Sequence, residues 1–132
     1  MIGVDTNILV RILTADDPKQ TEIARQLLEE SCSVSQPGIV NIVVITELTW
    51  VLESLYGYTR SNVALALESL LANGKLAIES HQEVRAALLT YKNVNCDFID
   101  ALIGEINRAR GCEATATFDR KAARLKGFVR VS

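Results

Sequence analysis

Short runs of β-branched residues alternate with longer segments of helical periodicity, and this alternation is the feature that most constrains the fold. Strands separated by helices pair in parallel, and the helices then cover both faces of the sheet. With 132 residues, the chain is predicted to form one α/β domain over residues 1–132. The predicted strands are residues 2–5, a short strand and turn in SVSQPG (33–38), LAIES (76–80), ATATF (114–118) and GFVRV (127–131).

Capping and breaking residues place the helices between these strands. Asp5-Thr6-Asn7 precedes the apolar run ILVRIL and predicts a helix start, while Asp16-Asp17-Pro18 ends that helix and begins the next. Further helices are predicted around Glu47 as far as Tyr56-Gly57, from Thr59 to Asn73, over 81–92, over 97–110 and from Arg120 to Leu125.

The composition is that of a globular protein, with 48% apolar and 23% charged residues. The start MIGVDTN lacks the basic region of a targeting peptide, and the apolar run 39–55 contains two glutamates and is too short to span a membrane. Three widely spaced cysteines fit neither a disulfide framework nor a zinc site, which favours a reducing cytoplasm. They are Cys32, Cys96 and Cys112.

Charge is distributed unevenly along the chain. The net charge of −2 argues against nucleic-acid binding through bulk positive charge. Residues 108–132, however, hold 7 basic and 2 acidic groups, whereas residues 1–107 hold 7 basic and 14 acidic groups. The basic segment is either a solvated helix surface or a phosphate-facing surface beside an acidic site.

Glu47 lies in an apolar stripe of its predicted helix. Val43 and Val44 precede it by one turn and Trp50 follows it by one turn, so we expect Glu47 and Trp50 to face the core. Burying an unpaired carboxylate is costly, so a cation must neutralise it. Since this helix contains no Lys or Arg, the alternatives are a salt bridge from elsewhere in the chain and a metal ion.

Two aspartates directly follow predicted strands. Asp5 follows IGV and Asp119 follows ATATF, and the carboxyl ends of parallel strands are where open sheets bind ligands. An Asp in this position is more often a helix cap or a turn residue. The flanking polar residues shift the interpretation towards a site, and these are Thr6 and Asn7 beside Asp5 and Thr117 beside Asp119.

The segment CDFIDALI supplies a third acidic element. In a helix, Asp97 and Asp100 lie three residues apart on one face, close enough to repel each other. Their alternative role is to complement the helix dipole in the first turn, which accounts for Asp97 more readily than for Asp100. Carboxylates that converge on one point cannot all ionise without a cation, and oxygen ligands favour Mg²⁺ or Mn²⁺. Such a site activates water for attack on phosphorus.

Four motifs of the chain together resemble those of PIN-domain nucleases, and within that family those of the VapC-type toxins of bacterial toxin–antitoxin pairs. They occur in the family's order and spacing, and the resemblance covers nearly the whole chain, most weakly between about residues 60 and 93. The motifs are IGVDTNILVRIL with DDPKQ, TELTWVLESLYG, DFIDALIGEINRARGC and TFDRKAARLKGF.

The resemblance implies a three-layer α/β/α fold with a parallel sheet of about five strands, and Mg²⁺- or Mn²⁺-dependent endoribonuclease activity. By motif, the catalytic and metal-binding acids are expected to be Asp5, Glu47, Asp100 and Asp119, with Asp97 as an auxiliary metal ligand. Thr6, Asn7 and Thr117 are the expected supporting polar groups, and Arg11, Arg120 and Lys121 the expected contacts to RNA phosphates.

The resemblance also implies an RNA substrate, a cognate antitoxin laid over the acidic groove, and a homodimer. The apolar faces of residues 20–30 and 41–56 are candidates for the dimer contact.

Two alternative functions stay open. One is a metal-dependent α/β binding domain without nuclease turnover, and the other is a phosphoacceptor domain that uses Asp5, for which the sequence offers no convincing strand-end lysine.

Overall fold

The computed structural model describes residues 1–132 as two compact units, Met1–Glu79 and Ser80–Ser132. We describe each unit by itself and refer to them as unit 1 and unit 2. None of the helices in either unit is long and apolar enough to cross a membrane.

Unit 1 contains four helices and one pair of parallel strands. In strand pair β1–β2, Gly38 is opposite Leu76 and Val40 is opposite Ile78, and Gly3 adds a parallel bridge to Ile39. In chain order the elements are α1 (Thr6–Thr14), α2 (Pro18–Ser31), β1 (Gly38–Val40), α3 (Ile42–Ser54), α4 (Arg60–Ala72) and β2 (Leu76–Ile78).

The helix starts of unit 1 are set by polar caps. The Asp17 side chain accepts a hydrogen bond from Gln20 N, with Pro18 at the first helical position. Asn41 caps α3 through Val44 N. Each cap satisfies a backbone N–H that has no partner within its own helix, which is why the predicted starts of α1 and α2 are close to the observed ones.

Unit 2 contains helices α5 (His81–Asn93) and α6 (Phe98–Ala109), which pack against each other. The rings of Tyr91 and Phe98 meet edge to face, with centroids 5.8 Å apart. A second parallel strand pair follows, in which Thr115 is opposite Phe128. It consists of β3 (Thr115–Thr117) and β4 (Phe128–Arg130), separated by a 3₁₀ turn (Ala122–Arg124).

The α/β class and the parallel strand pairing predicted from the sequence are confirmed, but the strands differ in number and length. The structure has four strands of three residues in two pairs, not one sheet of about five strands. Residues 2–5 form a bridge instead of a full strand. The strand expected within SVSQPG lies later, at Gly38–Val40, because Ser33 and Gln36 close a turn through their mutual hydrogen bonds.

The face of α3 that meets the core is not the one that the sequence predicted. Its buried side chains are Val44, Ile45, Leu48, Thr49 and Leu52, whereas Val43 is 69% exposed and Trp50 is 54% exposed. Glu47 lies between these two on the exposed side. The prediction that Glu47 and Trp50 face the core was wrong, because α3 is apolar around most of its circumference and neighbouring apolar residues do not identify its buried face.

We predict that Leu48→Ala lowers the free energy of unfolding by about 2–5 kcal/mol, because Leu48 is fully buried and its loss leaves a cavity. The matched control is Leu65→Ala in the middle of α4, where the side chain is 62% exposed, and a change within about 0.5 kcal/mol is expected. Urea unfolding followed by circular dichroism measures both. Equal losses would contradict the assigned face of α3.

Candidate active site

Asp5 is fixed at the start of α1. Its Oδ1 accepts a hydrogen bond from Thr6 N at 2.7 Å, so it is the N-cap of the helix. The preceding backbone is tied to β1, because Val4 N donates to Ile39 O. The Asp5 side chain is exposed, so the cap orients a carboxylate towards solvent.

Glu47 is joined to α1 by Thr6. The Thr6 hydroxyl, which belongs to a buried residue, donates to Oε1 of Glu47. Thr6 was expected to be a supporting polar group, and the structure gives it a definite role, since it restricts the rotamers of a long and exposed side chain. Burial of Thr6 makes this hydrogen bond a firm link between α1 and α3.

The groove between α1 and α3 forms a pocket of about 360 Å³. Asp5 and Glu47 supply carboxylates to its lining, and Arg11 is the one basic residue that lines it. The remaining lining residues are Thr6, Asn7, Val10, Val51, Leu55 and Tyr56.

Arg11 is held by three neighbours. Its Nε donates to Gln20 at 2.6 Å, and its Nη1 lies 3.2 Å from both Oδ1 of Asp16 and the hydroxyl of Tyr56. The hydrogen bond with Tyr56 is the main cause that raises the pKa of Arg11, so the guanidinium stays charged. Hydrogen bonds from Tyr56 and Thr14 lower the pKa of Asp16, which stays ionised. Sequence reasoning did not identify Tyr56 and Asp16, because it used them only as markers of helix ends.

In unit 2, Asp97 is the N-cap of α6. Its Oδ1 accepts hydrogen bonds from Ile99 N at 2.7 Å and from Asp100 N at 3.1 Å. The structure therefore places Asp97 as the cap of α6, directly before the first turn in which the sequence analysis expected it to complement the helix dipole.

Asp100 is half-buried in the first turn of α6. Burial is the main cause that raises its pKa, followed by the negative charges of Asp97 and Asp119. The positive charge of Lys121 acts in the opposite direction. The side chains of Asp97, Asp100 and Asp119 therefore lie in one negative electrostatic environment within unit 2.

Asp119 lies in the turn after β3. Its Oδ1 accepts from Lys121 N at 2.8 Å and from Ala122 N at 3.0 Å, while its own N–H donates to the hydroxyl of Thr117. Thr117 thus supports the turn that presents Asp119. The side chains of Arg120 and Lys121 are exposed beside it.

Each unit thus groups part of the predicted set: Asp5 and Glu47 line one pocket in unit 1, and the three aspartates of unit 2 interact electrostatically. The structure contains no group of three or more His, Cys, Asp or Glu side chains that is placed to hold a metal ion. The donors are nonetheless of the right chemistry, because carboxylate oxygens bind Mg²⁺ and Mn²⁺. A nearby cation would also relieve the repulsion that acts on Asp100.

Two comparisons with known proteins find similarity over nearly the whole chain. The sequence matches the PIN domain family over residues 2–127. It is also similar to the VapC ribonuclease of Aquifex aeolicus (strain VF5), with 26% identity over 129 residues that span 98% of this chain and 94% of the relative. The family match confirms the expected PIN-like α/β fold class, and it includes all the acidic residues discussed above.

We predict that Asp100→Asn raises the free energy of unfolding near pH 7 when divalent cations are chelated. Because the pKa of Asp100 is raised on folding, its ionised form costs stability, and this cost grows as the pH rises from about 4 through the folded-state pKa. Urea unfolding at neutral pH and below about pH 4 measures the difference, which should vanish in acid. A less stable variant at neutral pH would show that the ionised carboxylate is a stabilising group.

Proposed function

We propose that the chain, which belongs to the PIN-domain family, is a divalent-metal-dependent endoribonuclease that hydrolyses RNA phosphodiester bonds. Its similarity to a VapC ribonuclease supports a role as the toxin component of a toxin–antitoxin pair. The observation that carries the proposal is the Glu47 carboxylate, which is exposed in a pocket beside Asp5 and fixed by a buried hydroxyl. A carboxylate held in this way is prepared for a ligand outside the protein.

The residues proposed to hold Mg²⁺ or Mn²⁺ are Asp5, Glu47, Asp100 and Asp119, with Asp97 as an auxiliary ligand. When bound, such an ion would lower the pKa of the attacking water and neutralise the negative charge that develops around phosphorus. The chain's own groups support this set through fixed orientation. The Thr6 hydroxyl holds Glu47. Backbone N–H groups hold the aspartates that cap helices or turns, which are Asp5, Asp97 and Asp119.

Basic side chains of both units are proposed to contact RNA phosphates. Arg120 and Lys121 are exposed next to Asp119, within the basic segment 108–132. Arg11 lines the pocket that holds Asp5 and Glu47. Contacts of this kind position a strand without reading its sequence.

The proposed protein partners are a cognate antitoxin and a second copy of the chain, in the cytoplasm. An open acidic pocket fits an antitoxin segment that inserts a basic side chain into it. Large apolar side chains exposed on α2 and α3 support the proposed homodimer, since they are available for contact with a second copy of the chain. They include Ile23 on α2 and Val43 and Trp50 on α3.

We predict that Glu47→Gln abolishes RNA cleavage, with a loss on the order of 10²-fold or more, because removing even an outer partner of a metal ligand costs about 10–100-fold. The matched control is Glu53→Gln on the same helix, which should cleave like the wild type. Purified proteins are incubated with single-stranded and structured RNA in Mg²⁺ or Mn²⁺. Equal cleavage by Glu47→Gln and wild type would overturn the site, and metal binding without wild-type turnover would favour the binding-domain alternative.

The homodimer gives a separate prediction. Trp50→Glu introduces a charge into the exposed apolar surface of α3 and should convert the dimer to a monomer, while the fold is retained because Trp50 is exposed. Sedimentation velocity over a range of concentrations measures the mass. A wild-type protein that stays monomeric throughout, or a variant that stays dimeric, would contradict the proposed interface.

A further inference from the structure

The pocket of unit 1 is chemically divided along its length. At the N-terminal end of α1 it carries Asp5 and Glu47, and one helical turn beyond Asn7 it carries Arg11. Four residues of α-helix rise about 6 Å, so the backbone of Arg11 lies roughly one turn from that of Asn7. The Arg11 guanidinium is bonded to Gln20, Asp16 and Tyr56. On α3, Val51 and Leu55 continue the pocket from Glu47 at intervals of four residues, and Tyr56 follows.

Arg11 is oriented by its neighbours without using all of its donors. Gln20 accepts a hydrogen bond from Nε of Arg11, and Asp16 and Tyr56 accept hydrogen bonds from its Nη1. The two N–H groups of Nη2 make no hydrogen bond within the protein. A guanidinium that is already fixed and has a spare pair of donors binds a phosphate oxygen at little cost in side-chain entropy.

Tyr56 and its neighbours form an apolar wall at the same end of the pocket. The Tyr56 hydroxyl donates to Oδ2 of Asp16 at 2.7 Å, and its ring meets the ring of Tyr58 edge to face. The half-buried ring is therefore held in place, and Leu55 beside it is 66% exposed. Exposed rings and aliphatic side chains next to a basic group are the elements with which proteins bind unpaired nucleobases.

We propose that this part of the pocket is a nucleotide subsite for single-stranded RNA, in which Tyr56 and Leu55 contact one unpaired base and Arg11 binds the phosphate beside it. The subsite rests on the proposed nuclease function, because Asp5 and Glu47 at the other end of the same pocket mark where the bond is cut. Asp16 is a positioning residue, since it orients both Arg11 and Tyr56 and is not assigned a contact with RNA.

The test uses a short RNA that the wild-type protein cleaves at one bond, together with versions that lack one base at each position flanking that bond. Tyr56→Ala should raise KM for the intact RNA roughly 5- to 150-fold, the effect of one lost base stack, with kcat within about twofold. For the abasic RNA that lacks the base contacted by Tyr56, Tyr56→Ala should cause no further increase in KM. Leu55→Ala, which alters only an exposed side chain, should raise KM for the intact RNA by a smaller factor. It should likewise cause no increase in KM for the RNA that lacks that base.

Arg11→Ala is tested in the same way on RNAs that carry an uncharged methylphosphonate at single flanking positions. Its effect on KM should disappear for one of these RNAs. The matched control is Arg25→Ala, which removes an exposed guanidinium that also pairs with a carboxylate, that of Glu22, and it should leave KM unchanged. Thermal unfolding of every variant verifies the fold.

A purely structural role for the Arg11–Asp16–Tyr56 contacts would raise KM equally for intact and modified RNAs, and that result would overturn the subsite. If wild type cleaves RNA, Glu47→Gln does not, and Tyr56→Ala, Leu55→Ala and Arg11→Ala all behave like Arg25→Ala, the subsite fails while the proposed function stands. If wild type cleaves no RNA with either metal, both proposals fail.

Discussion

Three acidic side chains of the candidate site are held by backbone N–H groups at the start of a helix or turn. Asp5 caps α1, Asp97 caps α6 and Asp119 closes the turn after β3, and in each case these hydrogen bonds use Oδ1. A cap that fixes one oxygen fixes the direction of the other, so the fold itself orients the carboxylates. For Asp5 and Asp119 the sequence presented a cap or turn role and ligand binding as alternatives, whereas one side chain is able to satisfy both at once.

Glu47 obtains its orientation in a different way, through a side-chain hydroxyl. The hydrogen bond from Thr6 connects two helices, so the position of this acid depends on the packing of α1 against α3. No local pattern in the sequence contains that contact, because the two residues are far apart in the chain. This is why Glu47 could be identified as unusual from its neighbours while its environment was predicted wrongly. Two of its apolar neighbours, Val43 and Trp50, are themselves exposed, whereas Val44 is buried, and the Glu47 carboxylate is not a buried charge.

The predictable parts of the fold are those that depend on short-range chemistry. Capping side chains and Pro18 gave helix starts close to those observed, since they act within a few residues. The number and lengths of the strands were predicted less accurately, because three-residue strands carry too few side chains for a clear pattern and their partners lie far along the chain. The contacts of Arg11 were missed for the same reason, as Tyr56 is 45 residues away from it.

The central claim is that the Asp5 and Glu47 carboxylates in the pocket of unit 1 bind a divalent ion, and a double-mutant cycle on Mn²⁺ affinity tests it most directly. Asp5→Asn keeps an N-cap at α1, and Glu47→Gln changes an exposed side chain, so neither change is expected to unfold the protein. Calorimetric titration of wild type, both single variants and the double variant gives the coupling. If both carboxylates bind the ion, each single change weakens binding at least about tenfold and the double change costs clearly less than the two losses combined. Wild-type affinity in Glu47→Gln, or two strictly additive losses, would contradict the claim.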